Sequence, residues 1–193
     1  MDITSIGGLP AHPLLVHVPI VLVPLAFLGA LALAIRRPWV ARFGGLLLII
    51  GFIAAAGTVI ASQAGETLRD QVPETDTVRR HADLADATRL LVAVFFVLLL
   101  VWIALDVRDR RRADRIDEAN VEVDGRVVAT GPARAGSTRP SSGGLALRFA
   151  LPWATVLLGL LATVWVVRTG HEGARATWQN RQLVQRDGGG DGG

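Results

Sequence analysis

Four long apolar runs fix most of what this chain can fold into. The first extends from about Leu14 to Ile35, the second from Gly44 to Ser62 and the fourth from Phe149 to Val167. The third is strictly apolar only from Leu90 to Leu105; its helix is expected to begin near Asp83, with Asp83, Asp86 and Arg89 at or beyond the interface. Each run approaches the roughly 20 residues that a helix needs to cross about 30 Å of hydrocarbon. The expected fold is therefore an all-α membrane protein, a bundle of four transmembrane helices. The first run does not read as a signal peptide, because no basic residue precedes it and it is too long.

Composition agrees and narrows the chemistry. Half of the 193 residues are hydrophobic (51%) and the mean hydropathy is +0.42, too apolar for an ordinary soluble domain. Cysteine is absent, which excludes disulfides, thiolate metal sites, iron–sulfur clusters and c-type haem attachment. Methionine occurs only at position 1, so a metal or haem would need His, carboxylate or backbone ligands. All 20 basic residues are arginine, so the pI of about 11.0 overstates a net charge of only +3. Nucleic acid is not an expected partner; the arginines sit where membrane topology would put them.

That placement gives an orientation. Twelve of the 20 arginines lie after helix 1 (Arg36, Arg37, Arg42) or between helices 3 and 4 (Arg108, Arg110, Arg111, Arg112, Arg115, Arg126, Arg134, Arg139, Arg148). The positive-inside rule puts those segments in the cytoplasm and both termini outside, in a bacterial plasma membrane. Trp39, Trp102 and Trp153 then fall at the inner interface and Trp165 near the outer one. Residues 1–106 are expected to hold helices 1 to 3, with an outer loop at 63–82. Residues 107–147 form a hydrophilic inner loop, 148–170 helix 4, and 171–193 an outer, mostly disordered tail. Within the inner loop, NVEVDGRVVATG alternates around Asp124-Gly125 and predicts a β-hairpin.

All four histidines fall on the outer side: His12 and His17 at the start of helix 1, His81 before helix 3, His171 after helix 4. Pro13 suits a first helical turn, which places His12 near the N-cap and His17 some 7 Å deeper. Five residues at roughly 100° each put the two about 140° apart, so they do not grip one small ion side by side. On helix 2, Gly51, Ala54, Thr58, Ala61 and Gly65 make a stripe of small residues, suited to close helix packing or to a flat cofactor. Beyond it, Glu66 brings a carboxylate to the same outer face.

HPLLVHVP opening helix 1, a small-residue helix 2 ending in AGE, a histidine just before helix 3, and TGHEG after helix 4 resemble an uncharacterised bacterial membrane family, domain of unknown function 2231. The resemblance covers nearly the whole chain except the inner loop and the glycine tail. It departs at Val18, where the family usually has Phe. It implies a four-helix membrane architecture with recurring histidines and no settled activity.

The histidine pattern itself favours b-type haem for electron transfer. His17 would pair with His171 or His81 as axial ligands, while His12, Arg79 and Arg80 would help to hold the group. A quinone or another redox protein would be its partner. Two alternatives stay open: a copper or zinc site built from His12, His17, His81, His171 and Glu66, or a cofactor-free scaffold or assembly protein, homo-oligomeric assembly included, whose histidines are interface or pH-responsive groups. No G-x-S-x-G, cysteine nucleophile or H-E-x-x-H is present, so an independent enzyme is not expected, though a redox subunit of one is compatible.

Overall fold

The computed structural model describes residues 5–6, 9–10, 14–69, 75–124 and 142–187. Its architecture is all-α. Helices α1 (His17–Ile35), α2 (Trp39–Arg69), α3 (Asp76–Asp124) and α4 (Ser142–Asp187) each contain a segment long and apolar enough to span a bilayer. The only strand pairing among the described residues is a short antiparallel one, Ser5–Ile6 with Leu9–Pro10.

Close approaches at glycines define the order. A Cβ at Gly57 of α2 would lie 2.5 Å from Val18 of α1, and one at Gly29 of α1 would lie 2.6 Å from Leu47 of α2. Gly51 and Gly44 of α2 meet Leu99 and Ile103 of α3; Gly159 and Gly173 of α4 meet Phe95 and His81 of α3. Gly170 of α4 faces Ile20 of α1. In each pair one residue number rises as the other falls, so every neighbour is antiparallel and the helices run up and down around a ring. Small residues that let backbones approach are the usual means of helix association in lipid, where apolar burial drives little.

Two buried clusters fill the axis. One holds Ala26, Ala30, Leu33, Leu47, Phe95, Leu99, Trp102, Ile103 and Val156; the other holds Val23, Ala54, Val92, Ala162 and Val166. Large apolar side chains cover the outside, with Phe52 60% and Leu157 65% exposed, a surface suited to acyl chains and not to water. Buried Thr58, Thr88 and Thr155 each donate to the carbonyl four residues back, at 2.7–2.8 Å, and so carry no unmet hydroxyl into the core.

Several boundaries differ from the sequence reading. The outer loop expected at 63–82 is shorter, because α2 continues to Arg69 and α3 starts at Asp76. Thr75 caps α3 by accepting from the Val78 N–H at 3.3 Å, and Asp76 lies in the first turn, where a carboxylate suits the helix dipole. Residues 120–124, expected as the first strand of a hairpin, close α3 instead; extending a formed helix costs less than nucleating an isolated hairpin. The rest of that hairpin, from Gly125, lies outside the described residues. The tail after His171 is helical to Asp187, since no proline and no glycine interrupts 174–187. Trp39 and Trp153 are exposed as a belt requires, but Trp102 is 6% exposed and packs in the core.

Candidate functional site

Antiparallel order brings the start of α1, the end of α2, the start of α3 and the end of α4 to one end of the bundle, which carries the described histidines. The opposite end carries most of the described arginines.

His81 lies within the second turn of α3, not in a loop before it. Its position follows the helical period of the buried line Thr88, Val92, Phe95 and Leu99, so it faces the bundle. The imidazole is half-buried, with Nδ1 3.1 Å from the Thr169 carbonyl of α4. That carbonyl only accepts, so Nδ1 carries the proton and donates. The ring also lies where a Cβ at Gly173 would be, 2.9 Å from Cε1. Two turns along α3, Thr88 Oγ1 and Thr169 Oγ1 are 2.8 Å apart. Together these contacts make a polar seam between α3 and α4.

His17 and His171 point elsewhere. On α1 the buried line is Pro19, Val23, Ala26 and Ala30, and His17 stands roughly 180° from Ala26. On α4, His171 stands about 140° from buried Val166. Both histidines are exposed. The histidines therefore share an end but not a focus: one turns inward, two turn outward. His12 lies outside the described residues.

The remaining candidates are spread over the surface. Arg79 and Arg80 are exposed. Glu66 is paired with Arg89 at 3.5 Å, and Arg89 also meets Asp86 at 3.1 Å; both are solvent-exposed pairs of small energetic weight. Among the described residues no three of His, Asp and Glu are grouped so as to hold a metal ion. Part of the small stripe of α2 is packed against its neighbours: Gly51 meets Leu99 and Phe96, while Ala54 packs with Val23, Val92, Ala162 and Val166. At these two positions the stripe serves helix packing.

The arginine end contains a network that motif reading did not find. Arg110 of α3 pairs with Asp106 at 2.6 Å and donates to the Arg37 carbonyl at 3.2 Å. Arg37 donates to the Arg148 carbonyl at 3.0 Å and lies 4.3 Å over the Phe149 ring. Arg148 pairs in turn with Asp109 at 2.7 Å. Arginines read from the sequence as membrane-topology and anchor residues thus also tie the α1–α2 turn, α3 and α4 together.

An antiparallel four-helix bundle with a dry core, an apolar exterior and polar groups gathered at its two ends is an integral membrane protein. The chain belongs to the family described as predicted membrane protein (DUF2231), whose model matches residues 8–186. No curated protein and no solved structure matches it.

Proposed function

We propose that this chain is a multi-pass protein of a bacterial plasma membrane, with both termini outside, and that it acts as an assembly or scaffold subunit through its histidine end. The outward direction of His17 and His171 carries this reading. The exposed His171 on α4, beside the outward position of His17 on α1, offers an imidazole to a neighbouring membrane protein or a second copy, while the core, filled with apolar side chains and satisfied threonines, offers no polar path for transport. A haem held by His17 with His171 or His81 is the less supported reading, because His17 and His171 turn away from the buried lines of their helices while His81 turns toward its own.

One observation favours a second reading, haem b or copper or zinc bound through His81, with electron transfer to a quinone or redox protein. A histidine that ligates a metal commonly donates its other ring N–H to a carbonyl, as Nδ1 of His81 does to Thr169. The remaining ligands would come from outside the described residues or from a second copy.

Visible spectra, metal analysis and native mass in mild detergent separate the two. The scaffold reading expects a colourless, metal-free protein even when haem is supplied. It also expects an assembly that His17→Ala with His171→Ala dissociates without lowering the unfolding midpoint. A reduced α-band with near-stoichiometric iron, lost in His81→Ala, would replace it with the second reading.

A further inference from the structure

The arginines of α3 divide by direction. Asp106 and Arg110 follow the buried line through Leu99 and Ile103, and Asp109 lies about 80° to one side, facing Arg148 of α4. Arg108, Arg111, Arg112 and Arg115 lie roughly 120–180° away from Leu99, on the face turned from the bundle. All four are exposed, and among the described residues none has a carboxylate partner. The bundle therefore uses one set of charges internally and leaves a stripe of four arginines outside.

The stripe also has a level. Asp109 pairs with Arg148, the neighbour of Phe149, and Phe149, Trp153 and Trp39 are exposed aromatics at this end, where side chains of that type mark the membrane interface. Arg108, Arg111 and Arg112 lie within one turn of Asp109, and Arg115 about 9 Å beyond it along the helix. The headgroup layer, some 5–8 Å on each side of the hydrocarbon, spans most of that distance. Arg36 over Trp39 and Arg42 over Phe43, at 5.3 and 5.4 Å, add cations at the same end.

We propose that Arg108, Arg111, Arg112 and Arg115 form a docking surface for anionic phospholipid headgroups, with the spaced pairs Arg108/Arg112 and Arg111/Arg115 each clamping lipid phosphates. Neighbours four apart on a helix project side by side, and a guanidinium presents paired donors that match a phosphodiester. The inference depends on the membrane placement of the bundle and not on the role of the histidines.

The test is lipid retention by the full chain, purified from bilayers of phosphatidylglycerol and phosphatidylcholine in equal amounts, with bound lipid measured by mass spectrometry. Wild type is expected to enrich the anionic lipid, and raising the salt concentration is expected to erase the enrichment. Replacing all four arginines with Gln should reduce it at least about tenfold, since each cation near an anionic surface contributes about fivefold. Arg79→Gln with Arg168→Gln, at the histidine end, should leave it unchanged. Undiminished enrichment in the quadruple variant, equal loss in the histidine-end variant, or salt-independent retention by wild type would each overturn the proposal. So would co-purification of nucleic acid in place of lipid.

Discussion

Gly159→Leu is expected to prevent the bundle from closing. Even a single Cβ at this position would lie 2.7 Å from Cε2 and 3.1 Å from Cζ of Phe95, and 3.3 Å from Phe27. Phe95 is only 2% exposed, held among Ala26, Leu99 and Val156, so its ring has nowhere to retreat. Gly159→Ala should cost about 1–3 kcal/mol by overpacking. Leucine adds three more carbons at the same contact and should leave no monodisperse folded protein in detergent. Gly45→Leu is the control, because a Cβ there meets nothing within 4 Å. Equal unfolding midpoints for the two leucine variants would refute this account of helix packing.

The second large effect belongs to the seam between α3 and α4. Gly173→Ala places a methyl group 2.9 Å from Cε1 and 3.2 Å from Nδ1 of His81, so the imidazole must leave its hydrogen bond to Thr169. The loss should be about 1–3 kcal/mol, combining overpacking with an unmade bond. His81→Ala loses the same bond, at about 1–2 kcal/mol, but opens the space that the methyl group needs. The double variant should therefore be no less stable than His81→Ala alone. Additive losses in this cycle would mean that the two residues do not share a contact.

How much of this was legible follows from what each signal measures. The four runs announced the helices because a bilayer demands about 20 apolar residues whatever surrounds them. Family membership was readable from the sequence, and the family model matches residues 8–186. The helix ends were not, because hydropathy stops at the hydrocarbon edge while the backbone continues. DTVRRHADLADATR was read partly as loop for its charge, although Thr75 and Asp76 form a recognisable start signal. The shared end of the histidines was readable from topology. Their divergence was readable in principle, since the period of Pro19, Val23 and Ala26 already sets His17 on the far face. What no period supplied was the carbonyl of Thr169, 88 residues from His81, or the Arg37–Arg148 link across 111 residues. Those contacts need the helices to be neighbours first.

The account stands most directly on which way the histidine positions face and on which side of the membrane they lie. The chain has no cysteine, so single cysteines report without background. His171→Cys, His81→Cys and Arg111→Cys would be treated in intact cells with a membrane-impermeant maleimide. Cys at 171 should label readily, Cys at 81 far more slowly, and Cys at 111 only after the cells are permeabilised. Labelling at 81 as fast as at 171 would contradict the packed seam, and labelling at 111 in intact cells would contradict the orientation.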